Sequence, residues 1–463
     1  MNEFRVLAPT AILGYGFPES SFIAGMKRKP HVIAVDAGST DPGPYYLGSG
    51  ESFTDRSAVK RDLEYMIKAG IENNIPVIIG SAGGAGADSH LNWTVDIVQE
   101  IAQEQALTFK LGVIGAQIPN DTVLQKFRKG SIKPMSSVPP VTEEEIVKSS
   151  NIVAQMGTEP FIKALDVGAQ VIVAGRAYDP TVFACVAIKN GFDEGLALHM
   201  GKILECATIA AVPGSGSDCM FGTLYDDHFV LEPLSKDRKC TTLSVAAHTL
   251  YEKSDPTKLP GPGGVLDLSG CIFEQLTENS VKVSGTKFIP DAEYFVKLEG
   301  AMPKGYRTVS IAAASDPIFI EKINEIVAAV KERVQSNFAN FATDAYFLDF
   351  KVYGKNGVLL MKNAETGKCS QPQEICIVIE AVAQTVDMAN TICSFARSSL
   401  LHFGYEGRKS TAGNLAFPFS PSDFEAGEVF NFSVYALMHS PDPCQYFPVN
   451  ITLCEKGELK NAL

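Results

Sequence analysis

Side chains that can take part in proton transfer follow the second apolar run of this 463-residue sequence. After that run the chain reads DAGSTDPGPYY, which supplies Asp36, Ser39, Thr40 and Asp41. Carboxylates accept and donate protons, and hydroxyl groups bind substrate oxygens. We therefore interpret Asp36 as a catalytic candidate and the other three as substrate-binding candidates.

A glycine-rich loop follows the third apolar run and reads GSAGGAGADSH, with four glycines in its first seven residues. Backbone amides in such a loop can approach an anion, and the dipole of a following helix favours negative charge. We therefore expect Ser81, Gly83, Gly84 and Asp88 to bind a carboxylate or phosphate. The loop matches neither the Walker A nor the GxGxxG pattern, and glycines that serve only turns and packing are the alternative.

Arg176 and Asp179 lie in VIVAGRAYDP at the end of the fifth apolar run. The planar guanidinium group suits a carboxylate or phosphate, so we predict that Arg176 holds an anionic substrate group while Asp179 orients it or takes a proton. A purely structural Arg176–Asp179 ion pair is the alternative.

The segment GLALHMGKILECATIAA is predicted to be a helix with several reactive side chains. His199, Lys202 and Cys206 share one face by helical spacing, and Glu205 lies at its edge. These residue types can supply a base, a proton donor or a nucleophile, although they can also form a solvated surface.

The next loop, PGSGSDC, adds Ser217 and Asp218 as rim candidates, and it lacks the GxSxG pattern of a serine hydrolase. The ten cysteines include no CxxC pair, so the sequence predicts no metal site and identifies no cofactor.

The elements that position these residues follow a βα pattern. Strands are predicted at 4–12, 31–39, 75–83, 109–117 and 169–177, separated by amphipathic helical segments. This alternation is typical of an α/β domain with a mostly parallel sheet. Ligands of such sheets bind at the carboxyl ends of the strands, where most of the candidate residues are expected to meet.

A different pattern begins near residue 290. A strand at 306–315, a long helix, a hairpin within DAYFLDFKVYGKNGVLLMKN, a strand, a second helix and a last strand follow in the order of a ferredoxin-like plait. We therefore predict an α/β domain at 1–290 that carries the active site and an α+β domain at 291–463. The exposed edges of the plait and the apolar segment GNLAFPFSP predict a homo-oligomer.

Composition excludes several classes of partner. The formal net charge of -13 disfavours nucleic acid, which requires clustered Lys and Arg. No apolar run approaches the length of roughly 18 residues needed to span a membrane, and the N-terminus contains no signal peptide pattern. We therefore expect a cytoplasmic protein whose partner is a small molecule.

Several segments together resemble the acyclic terpene utilisation (AtuA-like) family: PTAILGYGFPE, VDAGSTDPGPYYLG, IIGSAGGAGAD, VIVAGRAYDP, HMGKILEC, LPGPGGVLDLS and VKLEGA. The resemblance runs from about residue 5 to about residue 310. It implies catabolism of branched acids or their thioesters, and it assigns no catalytic residue.

The sequence thus leads to an enzyme that abstracts a proton at carbon from a small branched carboxylate or acyl-CoA thioester, as a hydro-lyase or isomerase does. Two alternatives remain at this point. One is a hydrolase or acyltransferase that uses Cys206 or Ser217, and the other is a non-catalytic ligand-binding subunit.

Overall fold

The computed structural model describes residues 3–135, 138–252, 255–342, 344–355, 357–358 and 372–461. By its internal contacts the chain forms two units, one of Met1–Met302 with Phe432–Leu463 and one of Pro303–Asn431. This division differs from the predicted one at residue 290, because the last 32 residues group with the N-terminal part of the chain.

The first unit contains a parallel sheet made from all five predicted strands, whose bounds are β1 (Phe4–Ala8), β2 (Val32–Asp36), β3 (Val77–Gly80), β4 (Thr108–Ile114) and β7 (Val171–Ala174). They lie in the order β1-β2-β3-β7-β4, and every neighbouring pair is parallel. Strands β2, β3 and β7 are buried along their whole length, which explains their continuous runs of Val and Ile.

Antiparallel strands extend this sheet on both sides to eleven strands: β8 (Met220–Leu224), β9 (His228–Pro233), β12 (Ile272–Gln275), β13 (Val281–Ser284), β19 (Val449–Glu455) and β20 (Glu458–Asn461). Strand β8 pairs with β1, and β19 pairs with β4. The α/β class is therefore confirmed, but the sheet is mixed, and only its centre is parallel.

Smaller elements complete the strands of this unit. Strands β10 (Lys258–Gly261), β11 (Gly264–Asp267) and β14 (Lys287–Pro290) form a separate three-stranded sheet. Strand β5 (Ile132–Pro134) pairs with residues 436–438, and β6 (Asn151–Ala154) pairs with residues 298–301.

The helices of the first unit are α1 (Glu19–Lys27), α2 (Pro44–Ser49), α3 (Arg56–Asn73), α4 (Asp88–Glu104), α5 (Asn120–Arg128), α6 (Glu143–Lys148), α7 (Glu159–Asp166), α8 (Asp179–Lys189), α9 (Glu194–Leu204) and α10 (Thr242–Thr249), with a 3-10 turn at Ala207–Ala210. The side chain of Asp193 accepts a hydrogen bond from the amide of Leu196 and begins α9. Every residue of α9 from Gly195 to Leu204 is buried, so this helix has no solvated face.

The second unit has the element order βαββαβ. It comprises the second part of β15 (Phe295–Ala314), α11 (Pro317–Asn337), β16 (Tyr346–Tyr353), β17 (Ile375–Ala383), α12 (Val386–Leu401) and the first part of β18 (Asp423–His439). The strand order is β16-β17-β15-β18. The ferredoxin-like plait stays a prediction, and most of the second arm of the predicted hairpin lies outside the described residues.

Among the described residues no helix is long and apolar enough to cross a membrane.

Candidate active site

Three predicted site residues meet at the carboxyl edge of the parallel strands. Asp36 is the last residue of β2, Ser81 follows β3 directly, and Arg176 lies two residues after β7. Nη1 of Arg176 donates to Oγ of Ser81 at 3.1 Å. Because β2, β3 and β7 are adjacent and parallel, the sheet itself brings these side chains together.

Arg176 is buried and bound mainly by protein carboxylates. Its Nε donates to Glu299 Oε2 at 2.7 Å, and its Nη1 donates to Asp179 Oδ1 at 2.9 Å. Lys297 Nζ lies 2.8 Å from Glu299 Oε1. Burial alone raises the pKa of Glu299, but Arg176 and Lys297 outweigh it and lower this pKa to about 2. The Arg176–Asp179 pair exists, and Glu299 is a further partner that the sequence analysis missed.

An open pocket of about 280 Å³ lies beside this network. Carboxyl groups dominate its lining, and they belong to Asp36, Asp41, Asp179, Glu205 and Glu252. Three aromatic side chains also line it, those of Tyr15, Phe53 and Tyr251, together with Ser39 and Cys206. We call this cavity the acidic pocket.

Asp36 is the most unusual carboxyl group of the acidic pocket. Its side chain is 5% exposed, and its Oδ1 atom is buried without a hydrogen-bond partner among the described residues. Burial raises the pKa of Asp36 well above its usual range, and the charge of Asp179 raises it further. Arg176, Ser81 and the backbone of Gly38 oppose this rise. Asp36 therefore keeps its proton at a higher pH than an exposed aspartate does.

Lys202 and Glu205 form a buried ion pair at the end of α9. Lys202 Nζ also lies 3.5 Å from Glu252 Oε2. Burial raises the pKa of Glu205 well above its usual range, although Lys202 lowers it in part. Burial lowers the pKa of Lys202, and the charges of Glu205 and Asp179 raise it by more. A proton held between these two groups therefore lies next to the acidic pocket.

Cys206 lines the acidic pocket but is a poor nucleophile there. Burial raises the pKa of its thiol, and the charge of Glu205 raises it further. The thiolate is the reactive form of cysteine, so this environment suppresses covalent chemistry. Ser217, the other nucleophile candidate, is exposed on its loop and does not line the pocket.

The glycine-rich loop uses many of its amides inside the protein. Those with protein acceptors belong to Ser81, Ala82, Gly84, Gly86, Ala87 and Asp88. A Cβ on Gly83 would lie 2.7 Å from Cβ of His90, and one on Gly84 would lie 3.0 Å from Cβ of Phe53. Both glycines also have positive φ. These contacts agree with the alternative in which the glycines serve turns and packing.

Two residues predicted at the site have other roles in the structure. His199 is fully buried, with Nδ1 2.7 Å from Thr286 Oγ1 and Nε2 3.1 Å from Thr249 Oγ1. It does not line the acidic pocket, because α9 is buried on all sides and sends its side chains into different surroundings. Asp218 is held by Nε of Arg238 at 2.9 Å.

Thr40 lines a neighbouring cavity of about 490 Å³, which shares Asp41 with the acidic pocket. Val138, Pro139 and Phe432 give this neighbouring cavity an apolar lining. Two of its polar residues already have partners, because Glu145 accepts from Thr142 and Ser433 bonds to Ser149.

Within the described ranges, no group of three or more His, Cys, Asp and Glu side chains is arranged to hold a metal ion.

Two acidic residues of this region carried weak signals in the sequence. Glu299 interrupts the apolar residues of VKLEGA in β15, and a carboxylate on a buried strand face requires a cationic partner. Glu252 lies in a segment rich in titratable groups, but nothing local connects it with Lys202, fifty residues earlier.

Comparison with known proteins gives one family. The model of the acyclic terpene utilisation family protein AtuA matches residues 53–215 and 228–418. Neither the curated proteins nor the solved structures gave a match. The matched segments cover most of the sequence and extend beyond residue 310, where the recognised motifs end. The chain belongs to the acyclic terpene utilisation (AtuA) family.

Proposed function

We propose that this protein is a catabolic enzyme that transfers a proton at a carbon atom of its substrate, as a hydro-lyase or isomerase does. Family membership supports a role in acyclic terpene catabolism. A branched carboxylate or its acyl-CoA thioester is the substrate class that we propose.

The observation that carries this proposal is Asp36, which lines the acidic pocket and whose buried Oδ1 atom has no hydrogen-bond partner among the described residues. A buried carboxyl oxygen without a partner is costly, and such costs are concentrated where a ligand completes the site. Raised pKa values bring carboxyl groups towards the pH at which they exchange protons efficiently. Asp36 and Glu205 both meet that condition and line the same pocket.

We assign the proton transfer to Asp36 and Glu205, which act as base and acid. Lys202 is a positioning residue, because its ammonium group contacts Glu205 and Glu252. Arg176 positions Asp179 and Ser81. In this assignment Arg176 stabilises the site and does not bind the anionic group of the substrate.

The neighbouring cavity suits the hydrocarbon part of such a substrate. Its apolar side chains offer dispersion contacts, and Asp41 connects it to the acidic pocket. An acyclic branched chain that extends into this cavity leaves its reacting carbon near Asp36.

Other parts of the expected behaviour stay predictions. The raised pKa of Cys206 disfavours the cysteine version of the hydrolase or acyltransferase alternative, and Ser217 does not line the acidic pocket. The non-catalytic alternative is open to the test below. The homo-oligomer and the cytoplasmic location are also predictions.

Product analysis tests the proposed reaction. The protein is incubated with acyclic branched acids and their CoA thioesters, and the products are separated and weighed by mass spectrometry. We expect an isomer of unchanged mass or a product that differs by one water, with no free CoA. Asp36→Asn and Glu205→Gln should each reduce the rate by about 100-fold or more.

Asp96→Asn is the matched control, because Asp96 is exposed on α4 and does not line the pocket. This variant should retain full activity. Release of free CoA, or full activity of the Asp36 variant, contradicts the proposal.

A further inference from the structure

The acidic pocket has an unbalanced charge. Among the described residues, five carboxyl groups line it, and none of the lining residues is Lys, Arg or His. In the part of the chain that the structure describes, Arg176 and Lys202 contact these carboxyl groups without lining the pocket. Arg176 also contacts Glu299, which Lys297 contacts as well. The charges of Asp41, Asp179 and Glu252 repel a bound carboxylate and attract a cation, and Asp36 and Glu205 add to this effect when they are ionised.

Aromatic rings make up another part of the lining. Tyr15 and Tyr251 are 43% and 47% exposed, and Phe53 packs near Tyr15 with 6.3 Å between the ring centroids. The faces of such rings attract cations, and aromatic rings with carboxylates are a common combination in ammonium-binding sites. The aromatic residues thus favour the same sign of ligand charge as the carboxyl groups.

The unpartnered Oδ1 atom of Asp36 gives independent evidence for a ligand. An ionised Asp36 only accepts hydrogen bonds, and a carboxyl oxygen still accepts them when the group is protonated, so a donor suits Oδ1 in either state. An ammonium group has such donors, and a polarised hydroxyl group has one. An ionised carboxylate has none.

We propose that the acidic pocket receives the part of the ligand that carries a full or developing positive charge and excludes a carboxylate. This inference rests on the proposed function, since it concerns the same pocket and defines the charge of the group that reacts there. The carboxylate of the substrate, or the CoA part of its thioester with the anionic phosphates, then lies outside the acidic pocket. A protonated amine shares this chemistry with a carbon atom that gains positive charge when Glu205 protonates a neighbouring double bond, before Asp36 removes a proton from the next carbon.

Three small probes with one branched skeleton test the inference: isoamylamine, isoamyl alcohol and isovalerate, which are cationic, neutral and anionic at neutral pH. Their affinities for the full chain are measured by NMR titration at low salt. We expect isoamylamine to bind at least about tenfold more tightly than isoamyl alcohol, since charge-assisted hydrogen bonds are about twice as strong as neutral ones. Competition shows which probes enter the acidic pocket, and isovalerate should displace bound isoamylamine less readily than isoamyl alcohol does.

Two variants locate the binding. Asp41→Asn and Glu252→Gln each remove one charge from partly exposed positions of the lining, so both should fold. Each variant should lower the affinity for isoamylamine about fivefold to tenfold and leave the affinity for isoamyl alcohol unchanged. Asp96→Asn removes a charge outside the pocket and should change neither affinity.

The inference is overturned if isovalerate displaces isoamylamine more readily than isoamyl alcohol does, if the amine binds no better than the alcohol, or if the amine keeps its advantage in the Asp41→Asn, Glu252→Gln double variant. Consumption of isoamylamine identifies an amine substrate, and unchanged isoamylamine identifies a mimic of a transient cation; both support the inference. Tight amine binding without any turnover of branched acids or thioesters contradicts the proposed function alone. Ready displacement of isoamylamine by isovalerate contradicts this inference alone.

Discussion

Replacement of Glu299 by glutamine tests the network behind the acidic pocket. The Glu299 side chain is 0% exposed and contacts Arg176 at 2.7 Å and Lys297 at 2.8 Å. Gln155 donates a further hydrogen bond at 3.2 Å. Glu299→Gln keeps the size of the side chain but removes its charge, so Arg176 stays buried with only Asp179 as an anionic partner.

The size of the effect follows from the pKa of Glu299, which falls from its usual 4.5 to about 2. At 1.36 kcal/mol for each pKa unit, this difference corresponds to about 3 kcal/mol of folding free energy. Because the pKa in the folded state is lower than in the unfolded state, this stability is present above about pH 4.5. It is lost as the pH falls towards 2.

Urea denaturation of both proteins at several pH values measures this effect. We expect Glu299→Gln to lower the free energy of unfolding by about 3 kcal/mol at pH 7 and the difference to shrink between pH 4.5 and the lowest pH at which both proteins fold. Glu143→Gln is the control, because Glu143 and its partner Arg128 are both exposed, and we expect no measurable change. Equal stability of the Glu299 variant and the wild type at pH 7 would refute this reasoning.

Three further predictions concern single positions. Burial raises the pKa of Asp36 in the folded state, so ionisation of Asp36 costs stability as the pH rises. Denaturant curves should therefore show that Asp36→Asn is more stable than the wild type at pH 8 and loses this advantage below pH 4. Gly86→Ala should lower stability by at least about 3 kcal/mol, because the added Cβ would lie 2.1 Å from the backbone nitrogen of Arg176. Gly43 has a positive φ, but an added Cβ would have no atom within 4 Å, so Gly43→Ala should lower stability by only about 1 kcal/mol. Similar melting temperatures of Gly86→Ala and Gly43→Ala would contradict this prediction. Cys206 should resist iodoacetamide at neutral pH because its pKa is raised, and rapid labelling found by peptide mass spectrometry would disprove that.

The parallel centre of the sheet was predictable because its signal is local. Runs such as VIAVD and VIVA are apolar along their whole length, as strands buried on both faces require. The antiparallel extensions were not predictable in the same way. Strand β19 pairs with β4, more than 300 residues earlier, and no local pattern specifies such a pairing.

The candidate site was predictable to a similar degree. Asp36, Arg176 and Asp179 follow parallel strands. Ligands of such sheets bind at the carboxyl ends of the strands, so this rule predicted that the three residues lie close together. His199 was predicted at the site by helical spacing but does not line the acidic pocket. Helical spacing identifies a shared functional face only when the rest of the helix is exposed to solvent, and α9 is buried on all sides. Glu299 was missed because its partner, Arg176, is distant in sequence.

Hydrogen exchange at carbon tests the central claim most directly. The wild type and Asp36→Asn are incubated in D2O with the branched acid or thioester that product analysis identifies, and deuterium in the recovered substrate is followed by NMR. If Asp36 transfers a proton at carbon, the wild type incorporates deuterium at one carbon position, and the folded variant does so at least about 100-fold more slowly. Equal incorporation by both proteins, or turnover by the wild type with no deuterium in substrate or product, would contradict the account.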